Sequence, residues 1–369
     1  MRVLFASGDV GGARALLPVI ECCIAHGISI LLLDHSHISK EAPVCWERIS
    51  PEGLLSQDQT AKRLKEKGVR ALVFTTSVKD TLPLTLARWA KGLGILVFHL
   101  LDNWTGYRER MGMDGLPLFS PDQYIVMDEI AYGEAAESGI DPSRLAIAGH
   151  PALSTLPGDY RRWKSGPKRE MLRKYGFNPK MKLIAFVSEP VKQDQGDNPE
   201  SSAFRGYTEK IVLRIFCEAL QPFSKEVEIA ILPHPREEKG GLLTCWNENR
   251  GLLKGGLLQF HRGRDGVFFS DAIAGMASLL LYEAWLLGKP VLSLQPGVRQ
   301  RAFRMLEERE GLMFVDSYSE VSASVAQWVR DLLEGKKQEI RPELAVHEKA
   351  PEMVYELIRK HLGEAEGRS

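Results

Sequence analysis

The chain lacks charge of either sign in excess. Lys plus Arg number 48 and Asp plus Glu number 48 over 369 residues, so the formal net charge is zero. A nucleic-acid binder normally shows a basic surplus, and no nucleic-acid partner is expected. The basic cluster Arg161-Arg162-Trp163-Lys164 reads as a solvated linker. Cysteine is scarce as well. Cys22, Cys23, Cys45, Cys217 and Cys245 are odd in number and contain no CxxC pair. That spacing indicates neither a disulfide framework nor a cysteine-based zinc site, and it fits a reducing compartment.

Long apolar runs are missing. No stretch approaches the roughly 18 residues of a membrane span, and the first eight residues are too short a run for a signal peptide. The expectation is a cytoplasmic protein that would meet a membrane only peripherally, through a lipid-linked acceptor. Several catalytic signatures are absent too: there is no Walker A sequence, HExxH or G-x-S-x-G. No D-x-D pair occurs, so neither a metal nor another cofactor is expected at the site. No short-period repeat or low-complexity tract is present.

What is present is a repeating alternation. Short apolar runs alternate with longer helical patterns, the mark of parallel α/β sheets. In the first half the runs are 3–6, 28–33, 71–75, 95–100, 124–127 and 145–148. Helical patterns cover 13–26, 59–67, 82–93 and a stretch ending at 138. Gly149-His150-Pro151 ends a strand, and 154–168 is rich in Pro, Gly and basic residues, as a hinge would be. A second series follows, with strands at 183–188, 227–232, 267–269 and 291–294. Its helices are expected at 168–175, 207–220, 278–287, 298–310, 321–333 and 352–361. At about 100–200 residues per domain the length suits two domains. The boundaries read as 1–152, a linker at 153–168, 169–350, and a terminal helix and tail at 351–369. Two doubly wound Rossmann-like domains would face each other across a cleft, with ligands at the carboxyl ends of the strands.

Five groups of residues at such strand ends carry candidate chemistry. Gly275-Met276-Ala277-Ser278 leads straight into a helix whose free N–H groups suit phosphate oxygens. Ser278 serves there as cap or donor, and Glu283 follows as a carboxylate for ribose hydroxyls. The alternative is an ordinary strand–helix unit with a serine cap. Pro233-His234-Pro235-Arg236 ends an apolar strand and offers two groups suited to an anion. Ser188-Glu189-Pro190 ends another strand and opens a long polar loop. In the first half, Gly8-Asp9-Val10-Gly11-Gly12 is a glycine-rich turn without the G-x-G-x-x-G spacing. Asp102-Asn103-Trp104-Thr105-Gly106-Tyr107-Arg108-Glu109-Arg110 combines aromatics and charge, as sugar sites do. Asp102, Glu109 and Asp9 are the candidate general bases. The bland reading of that segment is an Arg–carboxylate network around a core Trp.

Together these pieces resemble the GT-B glycosyltransferase superfamily over nearly the whole chain. The resemblance implies that Gly8–Gly12 is the first loop of that fold and Gly149-His150-Pro151 its interdomain hinge. Gly275–Pro290 would be the donor-binding segment. His234-Pro235 is similar to the His-Pro motif of bacterial sialyltransferases and teichoic acid polymerases; in the sialyltransferases the histidine meets the donor phosphate. The implied activity is metal-independent transfer from a CMP- or UDP-linked sugar to a glycan, lipid-linked or protein acceptor in surface glycan synthesis. Donor contacts would be Ser188, Glu189, His234, Pro235, Arg236, Gly275, Met276, Ala277, Ser278 and Glu283. Acceptor contacts would be Gly11, Gly12, Asn103, Trp104, Tyr107 and Arg108. Non-hydrolysing UDP-N-acetylglucosamine 2-epimerases and related nucleotide-sugar hydrolases share the fold and supply the alternative. Those epimerases carry a His-Arg-Arg-Glu-Asn run where this chain has Ser188-Glu189-Pro190. A non-catalytic nucleotide-sugar-binding protein is the third reading.

Overall fold

Arg2–Ala6 forms the first strand because its apolar residues are buried on both faces, as a central parallel strand requires. The computed structural model describes residues 2–366 apart from 55, 78–79, 114, 167, 261 and 337. Asp9 ends the loop after this strand and starts the helix Val10–Ala25 by accepting a hydrogen bond from the Gly12 N–H at 2.8 Å. Gly12 is required by packing: a Cβ there would lie 2.7 Å from Thr75 Cβ and still closer to Thr75 Oγ1.

The chain divides into two units, Met1–Thr155 with Ala345–Ser369, and Leu156–Leu344. Each contains one parallel sheet. The first sheet has strands β1 (Arg2–Ala6), β2 (Ser29–Leu33), β3 (Arg48–Ile49), β4 (Val69–Phe74), β5 (Leu96–Leu100), β6 (Gln123–Val126) and β7 (Leu145–Ile147). Their order is β3-β2-β1-β4-β5-β6-β7. The second sheet has β8 (Lys182–Val187), β9 (Val227–Leu232), β10 (Lys254–Leu257), β11 (Ala272–Gly275), β12 (Val291–Leu294) and β13 (Met313–Val315), in the order β10-β9-β8-β11-β12-β13. In each sheet the chain runs outward on one side and then restarts on the other. The reversal falls between β1 and β4 in one unit and between β8 and β11 in the other. Such a switch point opens a crevice at the carboxyl ends of the strands.

Several expectations from the sequence are corrected. Residues 267–269 lie in the helix Gly263–Phe269, not in a strand; the strand is the next apolar run, Ala272–Gly275. A three-residue apolar run looks the same from sequence in either state. The expected helix at 298–310 is reduced to a 3-10 turn, Arg301–Phe303. Side-chain hydrogen bonds replace helical ones nearby: Arg304 binds Glu307 and Asp316, and Gln295 reaches the Phe303 carbonyl. The stretch expected as a linker contains the helix Leu156–Lys164, and Trp163 within it packs on Phe268 and Phe269. Gly149-His150-Pro151, expected as a hinge, is packed inside the first unit. The His150 N–H donates to His347 Nδ1 at 2.9 Å, and a Cβ on Gly149 would meet Val346 O.

The last helix, Ala350–Glu366, belongs to the first unit, where the sequence had set it apart as a tail. Val354, Ile358 and Leu362 recur at helical spacing and pack into one core with Val19, Ile20 and Cys23. No helix among the described residues is long and apolar enough to cross a membrane.

Candidate functional site

In the first unit the carboxyl ends of β1, β2, β4 and β5 bring four loops together. Asp9 and Asp102 flank Gly11: a Cβ there would lie 2.8 Å from Asp102 Oδ2 and 3.8 Å from Asp9 Oδ1. Any side chain at position 11 would fill the space over the two carboxylates. Asp102 is almost wholly buried and pairs with Arg110 at 2.8 Å. Burial holds the Asp9 carboxyl above its usual range. The Asp102 charge adds to that shift, while the Gly12 N–H and Arg110 oppose it. The loop thus sets a carboxyl able to carry a proton beside a carboxylate fixed by arginine.

Two further residues at this edge escaped the sequence reading. Asp80, after β4, pairs with His35 Nε2 at 2.6 Å, and its other oxygen accepts the Leu82 N–H at 3.0 Å. A Cβ on Gly8 would lie 3.2 Å from Asp80 Cβ, so the β1 and β4 loops touch at the switch point. Ser36, with φ of 58°, donates its hydroxyl to the Gly8 carbonyl at 2.9 Å. That left-handed backbone at a non-glycine residue costs energy and is held by the contact. Behind Arg110, Thr76 Oγ1 lies 3.1 Å from Nε2 of the fully buried His99. Burial first, and Arg110 second, keep His99 neutral, well below its usual range.

The expected acceptor residues are placed differently. Trp104 and Tyr107 are buried: the indole N–H donates to Asp128 at 2.9 and 3.0 Å, and the Tyr107 hydroxyl donates to Glu134 at 2.6 Å. They form the structural network of the bland reading and offer no open aromatic face to a sugar. Asn103, Arg108 and Glu109 are exposed, with Glu109 on the 3-10 turn Glu109–Met111. Of the three candidate bases, Asp9 and Asp102 meet at one place and Glu109 stands apart on that turn.

In the second unit the loops after β9, β8 and β11 are tied side by side. Ser188 Oγ donates to Glu237 Oε1 at 2.7 Å, and the His234 N–H donates to Glu237 Oε2 at 3.1 Å. Glu237, which the sequence reading missed, therefore links β8 to β9. Burial raises its carboxyl above the usual range, against the pull of Ser188. On the other side Glu189 Oε2 accepts the Ala277 N–H at 2.7 Å and links β8 to β11. Gly275 sits at the end of β11, where a Cβ would come within 2.7 Å of the Val187 carbonyl. Met276 is buried, and its carbonyl accepts from Ser293 Oγ at 2.7 Å. Ser278 caps the helix Leu279–Leu286 through the Leu280 N–H.

His234 is half-buried, and its Nδ1 accepts the Arg236 N–H at 3.2 Å. In the neutral ring the proton then sits on Nε2, which is presented as a donor. Burial, then Arg236, lowers its proton affinity. The Arg236 guanidinium makes a two-pronged contact with Asp194 at 2.7 and 2.8 Å, so part of its charge is already met, and Pro235 beside it is exposed. Glu283, expected to face a ribose, is buried and gives both oxygens to Arg264, at 2.9 and 3.0 Å. Glu189 is likewise a negative charge already at a helix N-terminus, where it positions Ala277 and would repel a phosphate.

No protein-family model matches the chain, and no curated protein matches it by sequence. Solved structures do match. UDP-GlcNAc 2-epimerase from Neisseria meningitidis, bound to UDP-GlcNAc, superposes with a TM-score of 0.67 at 14% identity, covering 98% of this chain and 100% of that one. The Methanocaldococcus jannaschii UDP-GlcNAc 2-epimerase, in complex with UDP-GlcNAc and UDP, gives 0.66 at 14% identity over 97% and 100%. Anabaena HepE in complex with UDP-glucose gives 0.60 at 14% identity over 99% and 100%. The chain has the GT-B fold. Identity this low establishes architecture, and function must be argued from the site.

Proposed function

We propose that the chain is a nucleotide-sugar enzyme of the 2-epimerase kind, acting on a UDP-linked N-acetylhexosamine. The observation that carries the reading is the pairing of Asp9 and Asp102 over Gly11, at the switch-point edge of the first sheet. Inversion at carbon 2 requires a C–H bond to break and re-form on the opposite face. A base takes the proton, and its electron pair becomes a C1–C2 double bond as the nucleoside diphosphate leaves C1; the return runs in reverse. Two carboxyl groups in different environments, one fixed by Arg110 and one raised by burial, suit the giving and taking of protons. The second unit would hold the nucleotide at the His234 edge, with the His234 Nε2–H as the donor to phosphate. Solved neighbours that carry UDP-GlcNAc, UDP or UDP-glucose support a uridine nucleotide.

A second reading, glycosyl transfer, keeps one observation in its favour. Ser188-Glu189-Pro190 stands where the epimerases of this fold carry a basic run, and here Glu189 is spent on Ala277. A nucleotide panel read by mass action on the melting temperature names the base. UDP raising Tm above UMP, GDP, TDP and CDP fits the epimerase reading, and exchange of the C2 proton with solvent deuterium then separates it from transfer of a UDP-linked sugar. A shift confined to CMP or CDP moves the assignment to a transferase, and no shift with any nucleotide overturns both.

A further inference from the structure

At the end of the first helix remote from the Asp9 loop, three different metal-binding groups converge. Cys22 and His26 lie one turn apart on Val10–Ala25 and its cap, and Glu352 comes from the terminal helix Ala350–Glu366. Their donor atoms all lie within 4.8 Å of one another. Cys22 Sγ is 3.0 Å from Glu352 Oε2, and His26 Nε2 is 3.2 Å from Glu352 Oε1. Bonds of about 2.0–2.3 Å in a tetrahedron put neighbouring donors roughly 3.3–3.7 Å apart, so both contacts to Glu352 are already near ligand spacing.

The histidine geometry adds a second argument. His26 Nδ1 lies 3.0 Å from the Cys22 carbonyl, to which it can only donate. That fixes the proton on Nδ1 and aims the other nitrogen at a carboxylate. The same arrangement orients ligating histidines at metal sites. Without a positive charge, Nε2 would set its lone pair against Glu352. The ring is further held by stacking on Tyr355, with centroids 4.2 Å apart.

We propose that Cys22, His26 and Glu352 bind a zinc ion, with water as the fourth ligand, and that the ion clamps the terminal helix onto the first. A thiolate, an imidazole and a carboxylate together favour Zn²⁺ over Mg²⁺ or Ca²⁺. Binding displaces the thiol proton to solvent. Because that proton must leave for the thiolate to bind, uptake rises with pH. Cys23, one residue on, is buried in the core and takes no part.

The test is cobalt and zinc titration of the full chain after treatment with chelator. The wild type and Cys45→Ser, which removes the exposed thiol, should each take up one Co²⁺ with a thiolate-to-cobalt charge-transfer band. Zn²⁺ should displace it and raise Tm. Cys22→Ser should lose the band and the Tm rise, and Glu352→Gln should lose the Tm rise while keeping circular dichroism unchanged. No band in wild type, or an equal band in Cys22→Ser, overturns the proposal. A Tm rise of wild-type size in Glu352→Gln overturns the clamp.

Discussion

The two sheets share an architecture but furnish their carboxyl edges differently. At the first edge, three aspartates after β1, β4 and β5 gather with one arginine and two histidines. The carboxyl groups are buried or paired, and Asp9 is pushed toward its protonated form. At the second edge, acidic side chains are used to hold loops: Glu237 joins Ser188 to the His234 backbone, and Glu189 fixes the start of a helix. One edge gathers carboxyl groups in unlike environments, which the proposed function would use to move protons, and the other ties its acids into a framework around His234. Within one fold, function is read from which acids are left to react and which are consumed as scaffold.

Breaking the first edge should have the largest effect. Asp102→Asn should lower turnover of a UDP-N-acetylhexosamine by about 10²–10⁴-fold with the fold intact, since it removes a positioned base. Steady-state kinetics with circular dichroism checks this. Retained turnover would move the chemistry to Glu109 or elsewhere. Breaking the scaffold should instead cost stability. Glu283→Ala removes the two-pronged carboxylate partner of the buried Arg264 and should lose about 3–5 kcal/mol in chemical denaturation. If nucleotide affinity falls and stability does not, Glu283 faces the ribose after all.

His234→Ala should weaken UDP binding by about 10–100-fold, the range for losing a hydrogen bond to a charged group, with little change in Tm. Calorimetry distinguishes this from the scaffold effect. A pH-dependent effect concerns Lys289, buried in the second unit with its side-chain nitrogen donating to the Ser270 and Phe268 carbonyls. Burial lowers it from 10.5 to about 7. Its folded-state value lies below its unfolded one, so the stability it contributes is present above pH 10.5 and is lost as pH falls toward 7. Wild-type unfolding free energy should therefore rise with pH over that window, and Lys289→Met should flatten the rise.

The parallel strands were legible because buried apolar runs announce themselves: β1, β2, β4, β5, β8, β9 and β12 lie where the sequence placed them. Among the missed strands, two have weak signals. β10 is Lys-Gly-Gly-Leu at a sheet edge, and β13 has three residues. The site was legible in part for the same reason. Asp9, Asp102, Ser188 and His234 follow strands that could be seen, whereas Ser278 follows β11, for which the sequence offered 267–269 instead. Asp80 and His35 follow β4 and β2 in loops without glycine or aromatic signals, and only the strand order places them beside Gly8. The aromatic segment misled because Trp104 and Tyr107 read as a sugar platform, whereas Asp128 and Glu134 draw both inward. Glu237, three residues past His234, could have been found by asking what satisfies a backbone N–H between two prolines.

Proton abstraction at carbon 2 is read by incubating the protein with UDP-N-acetylglucosamine in deuterium oxide and following that carbon by proton NMR. Epimerisation through Asp102 requires loss of the C2 proton signal and appearance of the 2-epimer in the wild type, and neither in Asp102→Asn. Bound UDP-N-acetylglucosamine that keeps its C2 proton would contradict it.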